Sequence, residues 1–364
     1  MKLNITRNDL LNGLQTVQNV VNIKSTLPVL SNVLMTAKDN ELILTTTDLD
    51  VSIQRKVEAK SARNGGVTLP ARRLFSIVRE LPEGEIEIEV NEKNNATVKS
   101  GSSYFRIIGL SEEDFPPVAQ ADEKQSYTIE QASLKEMLRK TAYAASTDET
   151  RYVLNGVLLS FANGKITVVA TDGRRLALFE YELDFPKEAE RDIILPTKTV
   201  NELIHSLGDE GDAVVRAQDN SVRFEFGNVI LTSKLIEGTY PNYKQVIPSQ
   251  CEERVAVERE SLLFSLKRVG LLASDKSNAA KLSFGKNKLS ITMNTPDVGE
   301  ARETIPIKYS GKEISVAFNP EYVVDPLRTL AADEVFLELT DDLSPGVIKC
   351  DTPFLYVLMP MRVN

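Results

Sequence analysis

The sequence predicts an α+β protein of three similar domains in a row, each a doubled strand–helix–strands unit. Three observations predict it. A helical apolar stripe returns three times, a short alternating strand precedes each copy, and paired alternating strands with a tight turn follow. The stripes are Leu10, Leu14, Val17, Val21; Leu134, Leu138, Thr141, Ala145; and Leu262, Leu266, Val269, Ala273. Each set lies on one face of a helix of period 3.6. The repeat, roughly 120 residues, is domain-sized, well beyond the 20–50 of a solenoid unit.

The leading strands read KLNIT, SYTIE and RVAVE, and Asp9, Ser133 and Ser261 stand where each helix should start. The hairpins turn at Asp39-Asn40, Asn163-Gly164 and Gly285-Lys286-Asn287. A second strand and helix follow as VTLPARRLFSIVREL, IILPTKTVNELIHSL and VAFNPEYVVDPLRTL. Strands such as EIEIEV, AVVRAQ and VFLELT, then YFRIIG, VILTSK and LYVLMP, close each copy. Six helices on mainly antiparallel sheets result. The segments EEDFPPVAQ and EGTYPNYKQ read as linkers, which sets the domains at 1–124, 125–251 and 252–364. Pro326 predicts a kinked or shortened sixth helix.

A hydrophobic content of 42% with 26% charged residues is that of a soluble globular protein. Cys251 and Cys350 are too few for a disulfide framework or a thiolate metal site. The start MKLNITRNDLL lacks the apolar core of a secretory signal and no apolar run is long enough to cross a membrane, so a cytoplasmic protein is expected.

The charge is uneven. The six helical stretches hold 12 Lys or Arg against 7 Asp or Glu, net +5, which leaves −14 for the rest of a chain whose formal charge is −9. In the second domain Leu134, Met137, Leu138, Thr141 and Ala142 face inward, so Lys135, Arg139 and Lys140 are expected to face solvent. Arg72, Arg73 and Arg79 do the same on the second helix, and Lys267 and Arg268 on the fifth, while Lys24 and Arg151 add charge at connections. Such faces suit plain solvation or sequence-blind contact with phosphate. With no Trp and 6% aromatics, a stacking platform for single strands is absent, and duplex backbone is the better nucleic-acid partner.

Enzyme chemistry has little to stand on. His205 is the sole histidine, and no Walker A, GxGxxG, GxSxG or HExxH pattern occurs. The acidic sets Asp48 and Asp50, or Glu112, Glu113 and Asp114, read as solvated strand ends, with a metal-assisted nuclease as the remote alternative. A repeat scaffold that binds proteins but not DNA stays open beside a DNA-binding one.

The motifs TLPVLSNVLM, TTTDLD, LPARRLFSIVRELPEG, RYVLNGVLL, VATDGRRLAL, TSKLIEGTYPNY and YVLMPMRVN run through all three domains. With them the chain resembles the bacterial sliding clamps, the beta subunits of DNA polymerase III. The resemblance implies a head-to-tail homodimer closing into a ring, sheets outside and helices lining the hole around duplex DNA. It implies a non-catalytic processivity factor with no cofactor and no metal.

DNA would then be met by Lys24, Arg72, Arg73, Arg79, Lys135, Arg139, Lys140, Arg151, Lys198, Lys267, Arg268 and Arg328. The resemblance further implies a groove that captures short linear peptides of the polymerase, the clamp loader and repair proteins. Its wall would be Leu154, Thr171, Gly173, Arg174, Arg175, Leu176, Pro241, Val246, Leu343, Val357, Leu358, Met359, Pro360, Met361 and Arg362. Ser277, Gln245 and Arg174 depart from the family's usual aromatic, Arg and His at the rim. The dimer contact would pair Phe105 and Ile107 with Leu271 and Leu272 of the second copy, and Ser102 and Tyr104 replace arginines frequent beside that Phe.

Overall fold

The computed structural model describes residues 1–21, 27–118, 126–274, 278–296 and 298–362. Lys24 and Ser277 lie outside the described residues. Among those described, six α-helices form: α1 (Arg7–Val17), α2 (Ala71–Glu80), α3 (Gln131–Thr141), α4 (Thr197–Ser206), α5 (Arg259–Val269) and α6 (Pro320–Thr329).

The repeated stripe is the buried face of α1, α3 and α5, where Leu10, Leu14, Val17, Leu134, Leu138, Thr141, Leu262, Leu266 and Val269 are all fully buried. Each helix is shorter than its stripe, so Val21, Ala145 and Ala273 fall beyond the ends, and Ala273 is exposed. The starts also differ from expectation. Thr6, not Asp9, caps α1 by accepting the Asp9 N–H at 3.1 Å, and its hydroxyl meets the Asp9 carboxylate at 2.5 Å. Ser133 and Ser261 likewise donate back to Glu130 and Glu258, so all three residues brace a first turn that begins earlier.

The hairpins turn where Asn and Gly tolerate positive φ: Asp39 and Asn40 at 51° and 62°, Asn163 and Gly164 at 56° and 71°. Pro326 does not cut α6 short. Proline has no N–H for the Tyr322 carbonyl one turn back, and the Tyr356 hydroxyl donates to that carbonyl instead at 2.8 Å.

The described chain forms two compact units, Met1–Lys135 with Asn201–Leu235, and Glu136–Val200 with Ile236–Asn364. These cross the sequence repeats, because each unit builds one eight-stranded antiparallel sheet from strands of two successive repeats. In the first unit the order is Gly65–Pro70, Asn32–Lys38, Glu41–Thr47, Val51–Glu58, Val229–Lys234, Ser221–Phe226, Asp212–Ala217, Tyr127–Glu130. In the second it is Arg191–Pro196, Gly156–Ala162, Lys165–Thr171, Arg175–Glu182, Phe354–Leu358, Gly346–Lys349, Glu334–Leu339, Glu253–Glu258. The two lists correspond strand for strand. A five-stranded sheet completes the first unit and a four-stranded sheet the second.

Helices cover one face of each large sheet. On α1, Gly13 allows close approach, since a Cβ there would sit 2.7 Å from Leu44 Cδ1. Thr46, on the same face as Leu44, donates its hydroxyl to the Val17 carbonyl at 2.5 Å.

Candidate functional site

In the second unit the sheet face turned away from the helices carries an apolar floor. Leu176 stands opposite Val357, Leu178 opposite Leu355 and Val169, and Leu158 opposite Val169 and Ile194. Cross-strand neighbours project to one side, so these residues make a continuous surface. Tyr240 is buried with them, and Val153, Leu154, Ile236, Tyr243 and Ile247 pack around it half-buried. Burial raises the Tyr240 hydroxyl pKa, and its oxygen accepts the Thr171 N–H at 3.1 Å.

The rim stays open: Met359 is 43% exposed, Val246 47% and Leu343 64%. Pro241, Gly173, Arg174 and Arg362 are exposed, and Pro360 and Met361 half-buried. The turn from Thr171 to Arg175 shapes one side. The Asp172 carboxylate accepts the N–H groups of Arg174 and Arg175 at 2.9 and 3.0 Å, Thr171 donates to the Arg175 carbonyl at 2.6 Å, and Gly173 supplies φ 84°. Across it, Met359 donates its N–H to the Arg174 carbonyl at 2.9 Å, and Met361 donates to Ala317 at 2.7 Å.

Two expected wall residues are not on this face. Arg175 and Leu358 pair with each other on adjacent strands, one residue out of step with Leu176 and Val357, and so project to the helix side. Conversely, Val153, Ile236, Tyr240, Tyr243 and Ile247 pack with the floor and are site residues that the sequence analysis does not name. The shared aromatic-proline step of EDFPP and GTYPN was the available signal for Tyr240.

The expected cations divide. Arg72, Arg73, Arg79, Arg139, Lys198, Lys267, Arg268 and Arg328 are exposed on their helices. Several are engaged: Arg79 with Glu80 at 3.1 Å, Arg268 with Glu303 at 2.8 Å, Arg328 with Glu321 at 2.8 Å, and half-buried Lys135 with Asp209 at 3.0 Å. Lys140 contradicts the expectation of a solvent-facing side chain. It is 5% exposed, lies 2.5 Å from Glu136 and 5.0 Å from the Phe179 ring centroid, because the buried stripe of α3 is wide enough to include its stem. Arg151 is exposed but packs on the groove turn, donating to the Asp172 carbonyl at 2.9 Å.

At the proposed dimer contact, Phe105 is 38% exposed on an edge strand, Ser103–Ile108, of the five-stranded sheet. Ile107 is buried within its own unit, whereas Tyr104 and Ile108 are exposed. Leu271 is 82% exposed, and Leu272 is half-buried. Among the described residues no group of three or more His, Cys, Asp or Glu stands together as a metal site, and no helix is long and apolar enough to cross a membrane.

Comparison with known proteins decides the family. Residues 1–119 match the N-terminal domain of the DNA polymerase III beta subunit, 128–242 its central domain and 244–362 its C-terminal domain. The chain belongs to the DNA polymerase III beta subunit family. It is 38% identical to the beta sliding clamp of Chlamydia muridarum over 364 residues and 34% identical to that of Proteus mirabilis, with all of both chains covered in each case. Among solved structures it matches the Pseudomonas aeruginosa sliding clamp bound to griselimycin, with a TM-score of 0.95 and 33% identity. It also matches the Bacillus subtilis clamp at 0.94 and 29%, each over the full length of both chains. Sliding clamps are non-catalytic processivity factors of DNA replication, and this is the function of the chain.

Proposed function

We propose that this clamp works through three surfaces. Two copies join head to tail into a ring in the cytoplasm, the exposed helix cations face duplex DNA without reading its sequence, and the groove of the second unit captures short peptides. The partners are the replicative polymerase, the clamp loader and repair proteins. One observation carries the reading: the second unit has an open-rimmed apolar floor of six buried strand residues, from Leu158 to Val357, with Tyr240 buried against them, on the sheet face that the helices leave uncovered. Leucine and phenylalanine anchors of a peptide gain about 1.5–3 kcal/mol each on full burial in such a surface.

A ring holds DNA by topology, so phosphate contacts need only be weak, and paired arginines such as Arg268 serve as well as unpaired ones. A heterologous contact repeated by rotation closes when the rotation divides a full turn. The edge strand with Phe105 and the exposed Leu271 supply the two unlike surfaces.

Negative-stain electron microscopy of the purified protein tests the assembly: closed rings with an open centre are expected, and compact single arcs would contradict it. Phe105→Asp and Leu271→Asp should each shift the protein toward monomer in sedimentation. Reversing charge at Arg72, Arg139 and Arg268 should reduce polymerase processivity and flatten its salt dependence, whereas a scaffold that ignores DNA would be unaffected. Griselimycin, the ligand of the P. aeruginosa clamp, is proposed to bind here as well.

A further inference from the structure

Arg175, at the end of the groove turn, is nearly enclosed, with 11% of its side chain exposed. Each nitrogen of its guanidinium has a partner. Nε meets Asp172 Oδ2 at 3.1 Å, Nη1 meets Asp325 Oδ2 at 2.5 Å, and Nη2 donates to the Tyr143 carbonyl at 2.7 Å. Its flat face lies 4.3 Å from the centroid of the Tyr322 ring. Burial alone would lower its pKa, but the hydrogen bond and charge of Asp325 work the other way, and it stands above the ordinary arginine value.

Each of its three nitrogens already holds a partner within the unit, and the side chain points to the helix side of the sheet, away from the floor. What Arg175 touches is nonetheless tied to the groove. Asp172 divides its two oxygens, one for the backbone of the turn and one for the guanidinium. The turn in turn holds Met359 through the Arg174 carbonyl and delivers Leu176, the next residue, to the floor. Asp325 belongs to α6, whose Tyr322 carbonyl is held by Tyr356 on the strand that also carries Val357. In the first unit the corresponding turn, Thr47 to Val51, has the same backbone bonds to Asp48 but the buried Val51 where Arg175 stands. The charged junction therefore accompanies the apolar floor and is absent at the same place without it.

We propose that Arg175 is a positioning residue for peptide capture rather than a peptide contact: it locks the turn from Thr171 to Arg175 onto α6, setting Met359 and Leu176 where a peptide anchor needs them. This rests on the groove reading above. A planar fork is suited to joining three acceptors at fixed angles, which a lysine cannot do.

The test uses the full chain and a fluorescein-labelled hexapeptide with two leucines and one phenylalanine, read by anisotropy, together with amide exchange at Met359. Arg175→Gln and Asp325→Asn are each expected to weaken binding at least tenfold. Their double variant should be no more than twofold weaker than the stronger single. Arg175→Lys, the mildest change, should lose severalfold. Exchange at Met359 should quicken in all four. Leu337→Ala, a core change elsewhere in the unit, should lower the unfolding midpoint and leave affinity intact, which separates positioning from general destabilisation. Parent-like affinity and Met359 exchange in Asp325→Asn, with binding lost in Arg175→Gln, would overturn the proposal and make Arg175 a direct contact. Failure of the parent to bind the hexapeptide would sink the groove reading instead, and Met359 exchange in Arg175→Gln would still decide for or against the lock.

Discussion

The two units hold the same eight strands in the same order and register, yet the faces that their helices leave uncovered are chemically opposite. Where the second unit has Leu158 opposite Val169 and Ile194, the first has Leu34 opposite Thr45 and Thr68. Where the second has Leu176 opposite Val357, the first has Ser52 opposite Thr232, and Gln54 takes the place of Leu178. Five apolar floor positions thus become Thr45, Ser52, Gln54, Thr68 and Thr232. The apolar cover shrinks to Val29, Leu30 and Phe115, with Leu34 and Val118 beside them. Hydroxyls fit a sheet as well as methyls do, so the frame tolerates either floor. Only the apolar one offers free energy to a leucine or phenylalanine from outside.

The largest effect should come from giving the second unit a residue of the first. Leu176 is 2% exposed, and Leu176→Ser should cost about 3–4 kcal/mol in urea unfolding by removing buried methyls and burying a hydroxyl. It should also abolish peptide binding under conditions where the protein remains folded. The reciprocal Ser52→Leu should leave peptide binding unchanged.

A smaller pair of changes concerns the matching turns. Gly173 has φ 84°, and the equivalent residue in the first unit is Leu49 at φ 80°, with 48% of its surface exposed. Gly173→Ala should destabilise by about 1 kcal/mol, with its Cβ 3.1 Å from Arg151 Nη1, and Leu49→Gly should relieve strain and stabilise by up to about 1 kcal/mol. Opposite signs at the two positions, measured by thermal unfolding, would establish that one turn serves both units. Equal signs would break the correspondence.

Acid response should be the weakest distinction. Glu87 in the first unit is held below its ordinary pKa by its hydrogen bond to Lys99 and by Lys2, and Glu303 in the second by its hydrogen bonds to Arg268. A lowered carboxylate contributes stability above its unfolded value near 4.5, lost as pH falls through the lower folded value. Both pairs are exposed and screened, so amide exchange in the two units, taken relative to the intrinsic rate at each pH, should accelerate together below that pH and only slightly. Acceleration confined to one unit would contradict the balance.

Local features were legible in the sequence. The stripes of α1, α3 and α5 follow from helical period alone, and the turns at Asp39-Asn40 and Asn163-Gly164 from residues that accept positive φ. The merging of repeats into shared sheets was not legible, because nothing within Val51–Glu58 says that it pairs with Val229–Lys234. Arg175 and Leu358 entered the groove wall through the family resemblance, and a motif carried over as a run of residues does not say which of them face the floor: that depends on strand register, and one step reverses it. Lys140 misled because a charged head is visible in sequence and the burial of its stem is not.

The most direct test of the difference between the floors is calorimetric titration of the full chain with the two-leucine, one-phenylalanine hexapeptide. One site per chain is expected, lost in Leu176→Ser and kept in Ser52→Leu. Two equivalent sites per chain, or binding that survives Leu176→Ser and fails in Ser52→Leu, would contradict the assignment of peptide capture to the apolar floor.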